Sequence, residues 1–479
     1  MPFSPLFQPS TAHAQLGSLF YDPVEAARFP TTILRHRDQR WAARIGLDDL
    51  TDREWLDYFA RFVPLPGSFP QPLALRYHGH QFRAYNPELG DGRGFLFAQV
   101  HDLADGRLLD LATKGSGRTP WSRGGDGRLT LKGGVREVLA TEMLEALRVN
   151  TSKSLSLVET GEALTRGDEP SPTRSTVLVR LSHSHIRIGT FQRFAYLRDD
   201  DSVARLLDYT VETYMPDLWR EAVADRATGF LAEVCRRVAA MGAQWMAAGF
   251  VHGVLNTDNI NVTGESFDYG PWRFLPVLDL GFTAAYFDHS GLYAYGRQPD
   301  ALLWNLIRLA ECLLPLAPQG ALEEALGAFA PAFEVPHAAA LLVRLGLAPR
   351  GGAADALLAR AWWAWLRESG APFERAFFDW YGGPAAAARA DAGPEGARYE
   401  TPGFAAVRDL LDAYEPAPGT RLDHPYWQRP APATLLIEDV EALWAPIAEA
   451  DDWTAFQAKL AEIGALRDAL APDVAARDG

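Results

Sequence analysis

Residues 249–270 of this 479-residue chain, GFVHGVLNTDNINVTGESFDYG, carry side chains suited to chemistry on a metal-bound phosphate. Asn259 and Asp268 both offer oxygen ligands, and Mg²⁺ prefers oxygen ligands completed by water and phosphate. Asp258 lies beside Asn259, and His252 precedes Asn259 by seven residues. These residue types at this spacing indicate a loop that could hold magnesium next to a phosphate-bearing ligand.

The spacing of this loop is that of the metal-binding loop of protein kinases. Kinases carry H-R-D-x-x-x-x-N followed by D-F-G, and the Asn and the second Asp hold magnesium on the nucleotide phosphates. Here Asp268-Tyr269-Gly270 follows Asn259, but Val254 occupies the position of the kinase catalytic Asp and cannot accept a proton. By themselves, an Asn and an Asp in one loop are more typical of an ordinary turn than of a metal site. Other segments must therefore show which of the two this loop forms.

A glycine-rich segment and a lysine precede this loop at informative positions. Gly90-Asp91-Gly92-Arg93-Gly94 leads into an apolar run, and glycines let backbone N–H groups approach phosphates closely. A plain hairpin turn would explain the same glycines. Lys114 ends the next predicted strand but one, where a kinase keeps its phosphate-contacting lysine. Lysine is rare in this chain, since nearly all of its 46 basic residues are arginines.

An amphipathic helix is predicted over residues 132–148, where apolar side chains recur every four residues. Glu137 lies off this apolar stripe, 23 residues after Lys114. A Lys–Glu pair between strand and helix positions the lysine for phosphate contact in kinases. The alternative is a solvated helix carboxylate, such as Glu142 or Glu145.

Two arginines are predicted to face each other across a pair of strands. If residues 182–185 form a four-residue loop between strands 176–181 and 185–189, Arg180 lies opposite Arg187. Like charges directly opposite each other destabilise a sheet, but an anion between them would explain the pair. The alternative is that both side chains extend into solvent.

The order of predicted elements is strand-rich first and helix-rich afterwards. Residues 1–75 are Pro-rich and irregular, with one short helix near 52–62, and are interpreted as an extension packed on the core. Strands are predicted at 95–100, 108–113 and 155–158, and a second glycine-rich segment at 124–127. After residue 200 helices dominate, for example 203–215 and 229–248, while 384–397 is predicted to be a low-complexity connector. The predicted divisions are 1–75, 76–200 and 201–479.

Composition argues against several classes of function. A net charge of −15 and a pI near 5.2 disfavour nucleic acid as a partner. Cys235 and Cys312 are predicted to be buried free thiols, and no zinc-type spacing accompanies the histidines. The first residues do not resemble a secretory signal, and no run of about 18 uncharged apolar residues predicts a membrane span. A cytoplasmic protein is therefore expected.

Six segments taken together resemble the selenoprotein O family, pseudokinases that transfer AMP from ATP to protein hydroxyls. The matching segments are YHGHQFRAYNPELGDGRG (77–94), KGSGRTPWSRGGDGR (114–128), VREVLATEML (135–144), LVRLSHSHIRIGTF (178–191), GFVHGVLNTDNINVTGESFDYGP (249–271) and FDHSGLYAYGRQPDALLWNLIRLA (287–310). The resemblance implies an α+β, protein-kinase-like two-lobed fold with a strand-rich N-lobe and a helix-rich C-lobe. It also implies ATP as substrate, Mg²⁺ or Mn²⁺ as cofactor, and protein acceptors bearing Ser, Thr or Tyr hydroxyls.

The resemblance also implies roles for individual residues. In the family the nucleotide lies flipped relative to a kinase, so that the α-phosphate is attacked. Gly90, Gly92 and Arg93 would contact the nucleotide, and Lys114 would contact phosphate while pairing with Glu137. Asp126 and Gly127 would contact the other end of the nucleotide, Arg180 and Arg187 would bind phosphates, Asn259 and Asp268 would hold the metal, and Asp258 would accept the proton.

The chain departs from the family pattern at both ends. The N-terminal region is shorter than expected, and residues 422–440 replace a more typical Asn-Pro-Lys motif. The C-terminal residues APDVAARDG contain no cysteine or selenocysteine, so redox control through a thiol there is not expected. Two alternatives stay open: a conventional kinase that transfers the γ-phosphoryl group, and a nucleotide-binding scaffold without activity.

Overall fold

The computed structural model of this chain describes residues 4–167 and 169–472. Its strands are β1 (Pro9–Ser10), β2 (Tyr21–Pro23), β3 (Ile33–Arg37), β4 (Leu73–Leu75), β5 (Gly79–Gln81), β6 (Ala84–Asn86), β7 (Leu96–His101), β8 (Leu108–Lys114), β9 (Leu129–Thr130), β10 (Lys153–Leu164), β11 (Thr173–Ser182), β12 (Phe250–Val251) and β13 (Arg273–Phe274). Its α-helices are α1 (Gln39–Arg44), α2 (Asp52–Phe59), α3 (Leu131–Ala146), α4 (Ile188–Leu197), α5 (Asp200–Tyr214), α6 (Val223–Ala247), α7 (Gln298–Leu313), α8 (Gln319–Leu326), α9 (Phe329–Leu345), α10 (Gly352–Ser369), α11 (Phe373–Asp379), α12 (Ala387–Ala392), α13 (Gly396–Tyr399), α14 (Pro402–Leu411), α15 (Ile437–Ala450) and α16 (Thr454–Leu470). The sheet half (residues 4–182) precedes the helical half (residues 188–472).

One antiparallel sheet dominates the sheet half, in the order β2-β4-β7-β8-β11-β10-β3, with β1 on β7 and β9 on β11. In the β8–β11 register Lys114 pairs with Leu178 and Ala112 pairs with Arg180. Paired residues share a face and side chains alternate along a strand, so Lys114 and Arg180 project from the same face. The register thereby places two cations side by side.

The sheet is covered on both faces. On one face Val135 and Leu139 of α3 pack with Leu157 and Leu178 of the sheet. On the other face aromatic and aliphatic residues of α1 and α2, such as Trp55, pack against the alternating side chains of β11. Burial on both faces explains why the central strands consist mainly of apolar residues.

Residues 1–75 differ from their prediction. They were expected to be irregular apart from one helix, yet they supply β1 to β4 as well as α1 and α2. The predicted helix near 52–62 is present as α2, with a capping box between Thr51 and Glu54. The strands are only two to five residues long, β1 to β3 are partly exposed and β4 is completely buried, so they lack the alternation that a sequence pattern can reveal.

The helical half agrees with the predicted periodicity along its main helices. In α6 the predicted stripe of Phe230, Val234, Val238 and Trp245 is buried. Two segments were predicted wrongly. Residues 185–187 form a loop and residues 188–189 begin α4, so the strand predicted there is absent, and the connector expected at 384–397 contains the short helix α12 and the start of α13.

Both cysteines agree with the prediction of buried free thiols. Cys235 and Cys312 are buried and unpaired. Burial raises the pKa of each thiol to about 12. Neither is therefore in the thiolate form that reacts at neutral pH.

One segment, Gln319–Leu345, is long and apolar enough to cross a membrane, with a mean hydropathy of 1.4 over 18 residues. The sequence had predicted no such segment, because Glu334 and Arg344 interrupt its apolar run. In the structure the segment consists of α8 and α9, and Arg344 forms an ion pair with Glu374 at 2.6 Å. A single segment of this kind is weak support for a membrane span, because core helices meet the same criterion.

Candidate functional site

A cleft of about 590 Å³ contains ten of the twelve residues proposed from the sequence for the site. Those lining it are Gly90, Gly92, Arg93, Lys114, Asp126, Gly127, Arg180, Arg187, Asp258 and Asp268. The two others lie directly behind the lining, Glu137 bonded to Lys114 and Asn259 next to Asp258. The lining side chains come from both halves of the chain.

The predicted ion pair between strand β8 and helix α3 is present. Lys114 Nζ lies 2.6 Å from Glu137 Oε2 and 2.9 Å from Asp268 Oδ1. Thr130 caps α3, its hydroxyl accepting a hydrogen bond from the Gly133 amide at 3.1 Å, and so determines where the helix begins. Glu137 is 1% exposed, so the alternative of a solvated carboxylate is wrong.

Arg180 and Arg187 come together in the cleft, but not across a hairpin as predicted. Arg180 lies on β11 between Ala112 and Ser154, whereas Arg187 lies immediately before α4. The chain leaves the sheet after Ser182 because the next residues are bonded elsewhere; the His185 ring, for example, lies 3.2 Å from the Asp110 carboxylate. A pattern of apolar residues cannot show such a departure.

Each of the two arginines has a carboxylate partner. Arg180 Nη1 lies 3.1 Å from Asp268 Oδ1, and Arg187 Nη2 lies 3.4 Å from Asp91 Oδ1. Arg187 Nη1 also donates to the carbonyl oxygen of Asp258 at 3.2 Å. The predicted uncompensated contact between like charges is therefore wrong, although both guanidinium groups do line the cleft.

Asp268 is the carboxylate on which these cations converge. Burial acts to raise its pKa, but the charges of Lys114, Arg180 and Arg187 outweigh burial and hold the pKa well below its usual range. Its backbone φ is +64°, a left-handed conformation that costs energy in most residues and is often found at functional sites. Asp268 is therefore held ionised and in a specific orientation.

The pKa of Asp258 is shifted in the opposite direction from the pKa of Asp268. Burial raises its pKa to about 6, although Arg187 acts to lower it. Its Oδ1 atom has no hydrogen-bond partner among residues 4–167 and 169–472. The turn that carries it is held in place by Thr257, whose hydroxyl accepts from the His80 amide at 2.7 Å. A buried carboxylate with a pKa near neutrality and a free oxygen can take up a proton.

Asn259 and Asp268 offer oxygen atoms suited to a divalent metal ion. The Asn259 amide donates through Nδ2 to the Val254 carbonyl at 3.0 Å, which leaves Oδ1 as its free ligand atom. The side-chain hydrogen bonds that Asp268 accepts from Lys114 and Arg180 both go to Oδ1. Within the part of the chain that is described, Oδ2 is left without a hydrogen bond. No cluster of three or more His, Cys, Asp or Glu side chains suited to a metal occurs among the described residues. One carboxylate and one amide fit Mg²⁺, which takes few protein ligands and completes its shell with phosphate and water.

The glycines of the first glycine-rich segment are required by close packing as well as by the cleft. A Cβ atom on Gly90 would lie 2.4 Å from the Trp121 ring, and one on Gly92 would lie 2.8 Å from the Trp121 carbonyl oxygen. The loop that carries Trp121 therefore lies against this segment. It forms one wall of the cleft together with the segment that ends in Gly127.

Several cleft residues were not singled out in the sequence. Asp91 lies between two predicted glycines, and its pairing with Arg187 could have been suspected from that position alone. Tyr77, Trp121 and Arg123 also line the cleft. Arg166 pairs with Asp126 at 2.8 Å although 40 residues separate them, and no local sequence signal indicates this contact.

Comparison with known proteins identifies the family of this chain. Residues 6–464 match the family model described as "Protein adenylyltransferase SelO". The chain is 46% identical over 458 residues to "Protein nucleotidyltransferase YdiU" of Gloeobacter violaceus, covering 93% of this chain and 92% of the relative. It is 52% identical over 348 residues to the protein of the same name from Synechococcus elongatus, covering 72% and 68%. The chain therefore belongs to the protein adenylyltransferase SelO family.

Proposed function

We propose that this protein transfers AMP from ATP to hydroxyl groups of Ser, Thr or Tyr side chains in other proteins. The observation that carries this proposal is that one cleft combines cationic side chains with a buried carboxylate. Arg180, Arg187 and Lys114 supply positive charge for phosphate groups, while Asp258 supplies a buried carboxylate with an unbonded oxygen. The family to which the chain belongs supports the same reaction.

In the proposed reaction the acceptor oxygen attacks the α-phosphorus of ATP. The bond between the α-phosphorus and the oxygen bridging to the β-phosphate breaks, and pyrophosphate leaves with both electrons of that bond. The proton of the acceptor hydroxyl passes to the carboxylate of Asp258. Charge developing on the phosphate oxygens is stabilised by Lys114 and the two arginines, as preorganised donors do in phosphoryl transfer.

Asn259 and Asp268 would hold a divalent metal ion, for which we propose Mg²⁺ or Mn²⁺. When bound, the ion would supply positive charge that stabilises the transferring phosphoryl group. Asp268 is suited to this role because its pKa lies well below its usual range, so the carboxylate stays ionised at neutral pH. Gly90, Gly92, Arg93, Asp126 and Gly127 would contact the remainder of the nucleotide.

We propose further that the two halves correspond to the lobes of a protein-kinase-like fold. The Lys114–Glu137 pair between a strand and a helix supports this assignment, since kinases join their nucleotide-binding lysine to a helix glutamate in the same way. The base differs from that of kinases, because Val254 stands at the kinase position and Asp258 lies four residues further. A nucleotide with its α-phosphate next to Asp258 would explain that difference.

The experiment that tests the reaction uses ATP labelled separately on the α- and the γ-phosphate. With magnesium or manganese and casein as acceptor, we expect protein-bound label from the α-position only. EDTA should abolish labelling. The variant Asp258→Asn keeps the size of the side chain but removes its basicity, and should lose transfer while still binding ATP.

Label from the γ-position only would show a conventional kinase and overturn the proposal. No label from either position, with folded protein that still binds ATP, would indicate a nucleotide-binding scaffold. Transfer that persists at the wild-type rate in Asp258→Asn would exclude this residue as the proton acceptor.

A further inference from the structure

A second groove of about 510 Å³ adjoins the cleft, is lined in part by residues of helix α3, and is called the α3 groove here. It shares Arg93, Lys114, Arg128 and Arg166 with the cleft, whereas Arg136 and Arg273 line only the groove. Its charged lining consists of seven cationic and three acidic side chains: Arg93, Lys114, Arg128, Lys132, Arg136, Arg166, Arg273, Glu137, Glu169 and Glu441. In a chain of net charge −15 this excess of positive charge is a local feature.

The positive charge of the α3 groove is only partly balanced by carboxylates. The cations that have partners are Lys114 with Glu137, Arg128 with Glu162, Lys132 with Glu441 and Arg166 with Asp126. Arg93, Arg136 and Arg273 have no carboxylate within ion-pair distance among residues 4–167 and 169–472. Arg93 belongs to the cleft as well, so among the described residues Arg136 and Arg273 are the groove-specific cations outside ion pairs. Glu441 acts on both of them from beyond ion-pair distance, and Glu438 acts on Arg273.

Arg136 and Arg273 converge on the same backbone oxygen. Arg136 Nη2 donates to the carbonyl oxygen of Trp272 at 3.2 Å, and Arg273 Nη1 donates to that oxygen at 2.9 Å. The guanidinium group of Arg136 also stacks over the Trp272 ring at 4.8 Å. Burial and the neighbouring charge of Arg273 lower the pKa of Arg136 to about 10. Two guanidinium groups held this close favour an anion that contacts both of them.

An exposed aromatic pair forms another part of the groove lining. Tyr286 is 79% exposed and Phe287 is 43% exposed, and their ring centroids lie 5.1 Å apart. Phe287 is supported from behind by Phe82, whose ring centroid is 5.7 Å away. Arginine and aromatic side chains together are the residue types that contribute most to binding energy at protein interfaces.

We propose that the α3 groove binds an acidic polypeptide segment of the protein substrate. This inference rests on the proposed transfer to proteins and names the chemistry by which a substrate is selected. Carboxylates of the segment would pair with Arg136 and Arg273, and its apolar side chains would pack on Tyr286 and Phe287. The groove adjoins the cleft at the shared residues Arg93 and Lys114, so a bound segment would lie next to the proposed transfer site. A pyrophosphate leaving group has no apolar surface that could pack on the aromatic lining.

Binding can be measured without catalysis. We expect a fluorescein-labelled oligoglutamate peptide to bind the full-length protein in an anisotropy titration, and an oligolysine peptide not to bind. Binding should weaken when NaCl is raised from about 50 to about 300 mM, because salt screens such contacts. The double variant Arg136→Gln/Arg273→Gln should weaken oligoglutamate binding about tenfold or more. Arg236→Gln/Arg367→Gln removes the same charge from exposed positions outside the groove and should not change binding.

Transfer measurements then separate substrate docking from other roles. With a glutamate–tyrosine copolymer as acceptor, Arg136→Gln/Arg273→Gln should raise KM for the copolymer about tenfold. KM for ATP and inhibition by pyrophosphate should not change. If pyrophosphate inhibition weakens and KM for the copolymer stays constant, the groove serves the leaving group and the proposal is wrong. Equal binding of oligoglutamate by the double variant and the wild type would also overturn it.

Binding and transfer measured together separate the groove proposal from the proposed function. Selective oligoglutamate binding without any transfer to the copolymer would refute the proposed function and support the acidic preference of the groove. If the double variant fails to fold, the single variant Arg273→Gln is used, because Arg273 does not stack on Trp272 and its loss disturbs packing least. It should weaken oligoglutamate binding in the same direction.

Discussion

At the scale of single residues, one carboxylate organises the charges of the cleft. Asp268 Oδ1 accepts hydrogen bonds from both Lys114 and Arg180, so three side chains from three distant parts of the sequence meet at one oxygen atom. Without Asp268 the two cations would be left with Glu137 as their shared partner. Ionisation of Asp268 therefore positions Lys114 and Arg180 and keeps Asp268 in the charged form that its proposed role as a metal ligand requires.

The raised pKa of Asp258 predicts how transfer depends on pH. As the proposed proton acceptor, Asp258 can take up a proton only when it is ionised, and its pKa is about 6. We expect kcat/KM for transfer to fall about tenfold per pH unit below that value, since kcat/KM reports the ionisation of the free enzyme. Rates measured between about pH 4.5 and 8 test this. A profile without change near pH 6 would contradict the assigned role.

Replacement of Arg187 should reduce stability as well as ATP binding. If the two arginines faced each other across a hairpin, replacing Arg187 would not reduce stability. Instead, Arg187 is 2% exposed and pairs with Asp91. Arg187→Leu leaves that buried carboxylate without its cation, which typically costs about 3 kcal/mol. Thermal melts with and without magnesium–ATP should show a lower midpoint and a smaller rise on adding the ligand.

The double variant Arg187→Leu/Asp91→Asn provides the control. It removes the uncompensated charge, while the amide oxygen of the substituted side chain can still accept from the Leu75 amide, as Asp91 does at 3.0 Å. It should therefore recover part of the lost stability but not ATP binding. Full stability in the Arg187→Leu single variant would show that the Arg187–Asp91 pair contributes nothing to the fold.

At the scale of elements, the β5–β6 hairpin connects the sheet half to the turn that carries Asp258. The amides of His80 and Phe82 donate to Thr257 Oγ1 at 2.7 Å and to Asn256 Oδ1 at 3.0 Å. The two-residue loop of the hairpin consists of Phe82 and Arg83, with φ of +49° and +65°. Loops of this kind normally contain Asn-Gly, so the hairpin holds two side chains in a strained conformation.

This strain predicts an unusual order of stability at position 83. Glycine is normally less stabilising than alanine inside a regular element, but it adopts a positive φ without cost. Arg83→Gly should therefore be more stable than Arg83→Ala, by about 1 kcal/mol. Both variants remove the contact of Arg83 with Trp304, so their difference isolates the backbone. Equal midpoints of denaturant unfolding would show that the loop relaxes.

At the scale of the whole molecule, the last two helices join the two halves. α15 and α16 pack against α3, which carries Glu137, and all three contribute to one continuous hydrophobic cluster with α5, α6 and α7. Arg467 of α16 pairs with Glu142 at 2.9 Å and with Glu145 at 3.1 Å on α3. The helix that holds Glu137 behind the cleft is therefore anchored by residues of α16.

The shared cluster predicts that both halves unfold together. Calorimetry should show one transition. Arg467→Ala should lower the free energy of unfolding by about 1–3 kcal/mol, and it should lower the midpoint of that transition without splitting it. Arg236→Ala, which removes an exposed pair with Glu233, should change stability by less than about 1 kcal/mol. Two separated transitions in Arg467→Ala would show that the halves are independent units.

Local patterns in the sequence predicted the main elements and the types of residue in the site. The Gly-rich turn, Lys114 at the end of a strand, Glu137 on an amphipathic helix and the Asn259–Asp268 spacing are all short-range features. The helix α3 and the strands β7, β8 and β11 follow from apolar periodicity, because burial of one or both faces imposes that period. The family could be identified for the same reason, since its segments are contiguous in the chain.

Only the tertiary structure decided which of these residues meet. Arg187 lies beside α4 and not opposite Arg180, because long-range contacts such as that of His185 with Asp110 draw the chain out of the sheet. The pairing of Arg166 with Asp126, the short strands of residues 1–75 and the convergence of Arg136 and Arg273 likewise depend on contacts between distant segments. Sequence periodicity records which side of an element is buried, but charges and free oxygens are brought together by the packing of elements, which no local pattern contains.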